Sequence, residues 1–393
     1  MRDAQEVKNF FDKKKSAFIT LLSELVAAKT ENPPGNEIEA AGAFENFCTS
    51  IDVRTTIVEK QAGRTNIIAS VGKGSPSLLI VCHLDTVPAG EGWKTDPFKA
   101  VEKKGRLYGR GVCDNKGQLA AGLLALSYLK RIEKDLSGSF ILVGAADEER
   151  GSASGMKFLM EKRHLSADYA IIPDSSDNMK KIDISEKGAL FFKVTSYGKQ
   201  AHGSTPHHGI NAIWNMVEFL NLLKRLEFPK EAHPLHSPPT LNLGVIQGGA
   251  AVNMVPARCS VEVDIRYLPG QTQKEYIEKI NNLIFEVERK NKAADFELKV
   301  MTSHKPTEVS ENEPIVKVIQ ENTRKISGFT PTPIGFSGAT ETKQLIEYGI
   351  KAVGFAPGDS IQPHSANESI SIKEFLNFSA ILALIAIDLL GKK

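Results

Sequence analysis

Ser77-Leu78-Leu79-Ile80-Val81-Cys82-His83-Leu84-Asp85 is the stretch on which the fold turns. Residues 77–82 form a short, nearly continuous apolar run, the pattern of a strand buried on both faces. The run ends in a histidine and, two residues on, an aspartate. In open α/β sheets, sites form at the carboxyl ends of strands, which is where this pair falls.

The surrounding sequence alternates in the same sense. Residues 7–29 carry helical spacing of apolar side chains and stop before Asn32-Pro33-Pro34-Gly35, a loop that proline and glycine both enforce. Helical periodicity returns over 117–132, a strand over 139–146, a helix over 152–162 and a strand over 169–172. This is an α/β pattern, a mostly parallel sheet flanked by helices. After Lys187 the order becomes strand (190–196), helix (211–223), strand (240–246), strand (260–266), helix (274–289) and strand (296–301). That βαββαβ order matches a ferredoxin-like unit. It lies between α/β segments, so residues 188–301 are expected as a domain inserted into a catalytic domain of 1–187 plus 302–393. A chain of 393 residues also exceeds the length at which single cores stop growing, about 250 to 300 residues.

Composition narrows the function classes. The sequence is 41% hydrophobic and 24% charged, as in a globular protein with a sizeable core, and 49 basic residues nearly balance 47 acidic ones. That balance recommends neither nucleic acid nor an anionic membrane as a partner. Residues 1–15 are dense in charge and lack the apolar core of a signal peptide, so a cytoplasmic location is expected. Residues 381–390 are apolar but interrupted by Asp388 and fall short of the roughly 20 needed to span a bilayer, so a buried helix is expected. The four cysteines form no C-x-x-C pair and read as reduced packing residues.

Five candidate metal ligands follow in order: His83, Asp114, Glu149, Asp174 and His364. Each has an ordinary reading when taken alone. Asp114 opens a helix after Gly109-Arg110-Gly111 and suits an N-cap. Glu148 and Glu149 close the 139–146 strand and suit the dipole of the next helix. Asp174 in Pro-Asp-Ser-Ser suits a turn, and His364 suits a loop. Together they supply carboxylate oxygen and imidazole without sulfur, which fits Zn²⁺ or a similar ion with an open position. Asp114 is best placed to bridge two ions about 3.5 to 4 Å apart. Asp85 is placed to orient His83, and Glu148 beside a ligand is free to take a proton. Competing signatures fail. Gly151-Ser152-Ala153-Ser154-Gly155 has alanine where a nucleophile elbow needs serine, 72–77 lacks the third glycine of a dinucleotide fingerprint, and no Walker loop is present.

Three segments, Cys82-His83-Leu84-Asp85-Thr86-Val87-Pro88, Gly109 through Gly117 (Gly-Arg-Gly-Val-Cys-Asp-Asn-Lys-Gly) and Asp147-Glu148-Glu149, resemble the di-zinc amidohydrolases. That family includes acetylornithine deacetylase, succinyl-diaminopimelate desuccinylase, aminoacylase and glutamate carboxypeptidase. The resemblance spans nearly the whole chain. It implies two Zn²⁺ ions (Co²⁺ or Mn²⁺ being possible), bound by His83, Asp114, Glu149, Asp174 and His364, with Asp114 bridging, Glu148 as general base and Asp85 behind His83. It implies a homodimer through the inserted domain, which acts as a lid. There Gly198-Lys199-Gln200-Ala201-His202-Gly203 resembles the segment whose histidine stabilises the reacting carbonyl oxygen in a partner subunit. Asn253 and Arg266 match positions that hold substrate, although for Arg266 a salt bridge within the sheet is the competing reading. Residues 206–211 and 335–343, Gly338 among them, are expected to line the pocket.

The implied activity is hydrolysis of the amide of a small N-acyl amino acid. Aspartate at position 174 points instead toward dipeptidases and aminopeptidases, since the deacylases commonly carry glutamate there. Asp264-Ile265-Arg266-Tyr267-Leu268-Pro269-Gly270 and the segment from Gly358-Asp359 through His364 are closer to the deacylase branch. A noncatalytic metal-dependent binding protein is disfavoured by an intact Glu148.

Overall fold

Strand Ser77–His83 is buried from its second residue onward, which is why its sequence is continuously apolar. The computed structural model describes residues 3–174, 177–229 and 232–392. The chain divides into two compact units, the first made of Met1–Ile184, Val309–Ile334 and Thr340–Lys393, the second of Ser185–Glu308 and Gly335–Ala339.

In the first unit, four strands form a parallel block in the order Ser139–Ala145, Ser77–His83, Tyr169–Ile172 and Lys351–Gly354. Antiparallel strands extend it on either side: Thr65–Gly72 and Thr55–Glu59 at one edge, Lys181–Glu186 at the other. Side chains alternate between the two faces. Leu79, Val81, Val143 and Ala145 pack with Met156, Leu159 and Leu345 from the short helices Met156–Glu161 and Thr342–Glu347. The opposite face meets helix Lys116–Arg131 and helix Ile372–Leu390. There Gly122 permits close approach, since a Cβ on it would lie 2.9 Å from Leu142.

Helix Ile372–Leu390 carries the apolar C-terminal stretch and buries most of its residues. Its one late charge, Asp388, accepts a hydrogen bond from Asn322 Nδ2 at 2.8 Å. Among the described residues no helix is long and apolar enough to cross a membrane.

Local departures from the sequence pattern have local causes. The helix expected over 7–29 is two helices, Ala4–Asp12 and Lys15–Ala27, broken in the Lys13-Lys14-Lys15 run that apolar periodicity does not register. The helix expected over 152–162 is reduced to Met156–Glu161 because Gly151 and Ser152 take φ of 95° and 56°.

The second unit has strand order Thr240–Gly248, Arg258–Tyr267, Gly188–Tyr197, Asp295–His304, every neighbour antiparallel. Helices Ala212–Leu223 and Gln273–Lys290 cover one face, setting Met216, Phe219, Tyr276 and Ile280 against Leu190, Phe192, Val261 and Val263. This is the ferredoxin-like arrangement. It runs beyond 188–301 because Ser185 and Glu186 pair with Glu308 and Thr307, and residues 335–339 join it as well.

Candidate metal centre

His83 closes its strand and is buried, with both ring nitrogens engaged. Nδ1 lies 2.9 Å from the main-chain carbonyl oxygen of Asp85 and 3.5 Å from its carboxylate Oδ1. A carbonyl oxygen can only accept, so Nδ1 carries the hydrogen and Nε2 is the nitrogen that could coordinate a cation. Nε2 faces Asp114 Oδ1 at 3.0 Å.

Asp114 presents its second oxygen, Oδ2, to Nε2 of His364 at 3.3 Å, and that nitrogen lies 3.2 Å from Glu149 Oε2. Asp114 therefore gives one carboxylate oxygen to each histidine. A lone pair facing a carboxylate oxygen at these distances requires a proton or a cation between them. Donor atoms of His83, Asp114 and Glu149 all fall within 4.8 Å of one another, room for a divalent ion. Asp174 joins through Asn115, whose Nδ2 donates to Pro173 O at 3.1 Å and to Asp174 Oδ1 at 3.2 Å.

The loop bearing Asp114 is held by Glu368, which is completely buried. Its carboxylate accepts from the amides of Gly111 (3.0 Å), Cys113 (2.5 Å) and Asp114 (3.1 Å) and from Arg110 Nη1 (2.8 Å). Gly111 has φ of 82°, and a Cβ there would lie 2.8 Å from Thr86 Cγ2, so this turn has no space for a side chain. No local pattern marks Glu368, because its partners lie more than 250 residues away.

Asp85 anchors the paired glutamates. Its Oδ1 accepts from the Glu148 amide at 3.1 Å and its Oδ2 from the Glu149 amide at 3.2 Å. Glu149 is then committed to His364 and accepts from Val87 N at 3.3 Å. Among the described residues, the half-buried Glu148 carboxylate has neither a hydrogen bond nor an ion pair. Consecutive carboxylates on one anchor thus have different surroundings. Buried Glu341 accepts a hydrogen bond from Ser152 Oγ, just past the glutamates, and helical or turn periodicity gives no sign of it.

The site is electrostatically short of positive charge. Burial, with Asp114 and Glu148 nearby, pushes Glu149 up to about 7. Burial and the field of Glu148 push Glu341 up to about 8, and burial with Glu148 and Asp114 pushes Asp174 well up. Burial likewise raises Glu148. Burial opposes charge on His83, but hydrogen bonds to Asp114 and Asp85 outweigh it and hold the ring well above its usual value. The hydrogen bond to Asp114 raises His364 to about 8. Carboxylates that raise one another's affinity for protons around two imidazoles form a donor set that fits divalent cations.

The remaining candidates belong to the second unit and keep local company there. His202 Nδ1 accepts from Ser204 N at 3.1 Å and pairs with Ser204 Oγ at 2.7 Å. The carbonyl of Asn253 accepts from Gly203 N at 2.8 Å. Arg266 donates through Nε and Nη2 to Asp264, the shortest contact being 2.9 Å, and its guanidinium lies over the Phe191 ring at 5.1 Å. Gly338 packs against the ring of Phe336, which would have to move to admit a Cβ there.

Imidazole and carboxylate donors gathered near the carboxyl ends of parallel strands, with an unengaged glutamate beside them, form the kind of site that metal-dependent hydrolases use. The sequence model of Peptidase family M20/M25/M40 matches residues 79–388. The chain belongs to that family and is a hydrolase acting on amide bonds. It is 29% identical to a probable succinyl-diaminopimelate desuccinylase of Staphylococcus aureus over 95% of this chain and 98% of that one. It is 30% identical to an acetylornithine deacetylase of Myxococcus xanthus over 92% and 94% of the two chains. A tripeptidase structure from Staphylococcus aureus superposes with a TM-score of 0.76 at 22% identity, covering 95% and 98%, and shares the fold.

Proposed function

We propose that the protein removes the acyl group from small N-acyl amino acids, with His83, Asp114, Glu149, Asp174 and His364 holding two Zn²⁺ ions and Glu148 acting as general base. The observation that carries this reading is the division of labour at Asp85, which supports both glutamate amides while only Glu149 is drawn to an imidazole. When bound, the ions would acidify a water and polarise the substrate carbonyl. Glu148 accepts the proton of the attacking water and passes it to the leaving amine nitrogen. Asp85 keeps Glu148 in place, and the His83 tautomer leaves Nε2 for the ion. His202 donates toward the developing oxyanion, acting in a partner subunit's site. Arg266 and Asn253 bind the substrate carboxylate beside Gly338. For Arg266 this requires that substrate compete with Asp264. Co²⁺ or Mn²⁺ suits the same donors.

The acyl-amino-acid substrate class is supported by the relatives whose names specify a desuccinylase and a deacetylase. A second reading, dipeptidase or aminopeptidase, is favoured by aspartate at position 174. Protein stripped of metal and reloaded with Zn²⁺ or Co²⁺ should release amine from N-acetylornithine, N-succinyl-diaminopimelate or other N-acyl amino acids. Cleavage confined to dipeptides would select the second reading.

The second unit also supports a homodimer. Its edge strand Thr240–Gly248 is exposed along its length and carries exposed Leu243, Val245 and Ile246, an arrangement that invites a covering partner. Light scattering should give twice the chain mass, and Ile246→Lys should shift it toward the monomer. Four free, buried cysteines accord with a reducing, cytoplasmic setting.

A further inference from the structure

Beneath the paired glutamates lies a buried ionic network that the proposed mechanism does not use. Arg64 donates through Nε and Nη2 to both oxygens of Glu37, at 3.0 and 2.8 Å. Its Nη2 also donates to Asp147 Oδ1 at 3.0 Å. All three residues are buried, Glu37 completely. The guanidinium sits against the Asn32-Pro33-Pro34-Gly35 loop so tightly that a Cβ on Gly35 would lie 2.4 Å from Arg64 Cζ.

Asp147 immediately precedes Glu148 and takes the left-handed conformation, φ 65° and ψ 22°. Both oxygens of its carboxylate are engaged. Oδ1 accepts from Arg64 and from Asn32 Nδ2 at 3.1 Å, and Oδ2 accepts from Ser154 N at 3.0 Å. Asn32 Nδ2 also donates to Asp85 Oδ2 at 2.9 Å. One amide group therefore joins the Asp147 and Asp85 carboxylates, and Arg64 pairs a buried cation with Asp147. A buried ionic cluster stabilises a fold poorly compared with apolar packing of the same shape. An uncommon backbone conformation persists where its surroundings over-determine it. Here those surroundings are Arg64, Asn32 and Ser154, and the residue they fix is one peptide bond from Glu148.

We propose that Arg64, clamped by Glu37, is a positioning residue: through Asp147 it fixes the left-handed turn from which Glu148 and Glu149 diverge above Asp85. The inference rests on reading Glu148 as base and Glu149 as metal ligand. Arg64 touches neither glutamate, so it acts on rate and on metal geometry through the backbone of 147–149.

The test compares Arg64→Met, Arg64→Lys, Asp147→Asn and the double variant Arg64→Met/Asp147→Asn. Each is measured as metal-loaded folded protein for kcat, KM and the visible spectrum of the Co²⁺ form. Small misplacements of reacting groups are costly, so Arg64→Met should lower kcat about 100-fold while KM moves less than about 3-fold. Its Co²⁺ bands should shift in position. Arg64→Lys keeps the charge but not the fork and should recover about 10-fold of the loss. If Arg64 acts through Asp147, the double variant should be no slower than Arg64→Met. A kcat within about 3-fold of the parent, with superimposable Co²⁺ bands, would overturn the proposal whatever the change in Tm. Should Arg64→Met fail to fold, Arg64→Lys and Asp147→Asn decide by the same two readouts. If the parent protein hydrolyses none of the substrates, the deacylase reading falls separately, and the Co²⁺ bands alone decide for or against positioning.

Discussion

Glu368 and Arg266 are both half of an arginine–carboxylate pair, yet they belong to differently built parts of the molecule. Glu368 meets Arg110 across 258 positions of sequence and also gathers the Gly111, Cys113 and Asp114 amides, with its carboxylate buried. Arg266 meets Asp264, two residues away on the same strand, at a partly exposed surface. His202 likewise takes its partner from Ser204. The candidate metal-binding end of the first unit is over-determined by distant segments, whereas the candidate substrate contacts of the second unit are held by near neighbours. Long-range burial fixes geometry before substrate arrives, and local pairing leaves side chains able to exchange partners.

That contrast is sharpened most by removing the unengaged carboxylate. Glu148→Ala should lower kcat by about 10³-fold or more while metal content, read by elemental analysis, stays near that of the parent. Loss of metal in parallel would place Glu148 among the ligands. Next in size is Glu368→Ala, which leaves Arg110 buried and unpaired and releases three amides. It should cost about 3 to 5 kcal/mol in denaturant unfolding of the metal-free protein and weaken Co²⁺ binding. An effect below about 1 kcal/mol would mean that the Asp114 loop is held elsewhere.

The same crowding of charge has a pH signature. Burial lifts Glu149 to about 7 from its usual 4.5, and Glu368 to about 7 by the same cause. The folded metal-free protein therefore keeps protons that the unfolded chain releases. The stability this contributes is complete below pH 4.5 and is lost as pH rises through 7. Metal-free Tm should fall between those values, and the metal-loaded form should show a flatter profile. Metal affinity should run the other way. Glu149 at about 7 and His364 at about 8 must lose protons to bind, so calorimetric affinity should rise with pH through that range.

The smallest structural effect is expected in the second unit. Arg266→Ala should change unfolding free energy by no more than about 1 kcal/mol, as for other partly exposed pairs. It should still raise KM if the guanidinium leaves Asp264 for substrate. An unchanged KM would mark the pair as a feature of the sheet alone.

How much of this is legible in the sequence follows from the range of each interaction. The apolar run before His83, the spacing of Asp114 behind a glycine turn and the adjacency of Glu148 and Glu149 are patterns within a few residues. Strand alternation and helix periodicity likewise outline a parallel block and a βαββαβ unit. Glu368, Glu341, Asn32 and Arg64 carry no such mark. Their roles depend on partners 27 to 258 positions away, and only tertiary packing selects those partners. Asp85 illustrates both levels. Its placement beside His83 is local, but the tertiary fold uses its carbonyl to set the imidazole and its carboxylate to collect the two glutamate amides.

By itself the sequence determined the fold class and the chemical kinds of donor, because apolar periodicity and residue type are local properties of a chain. Only the tertiary structure decided which carboxylate faces an imidazole, which stands unengaged and which buried arginine sits beneath them. Hydrogen-bond geometry and desolvation depend on segments that meet only after folding.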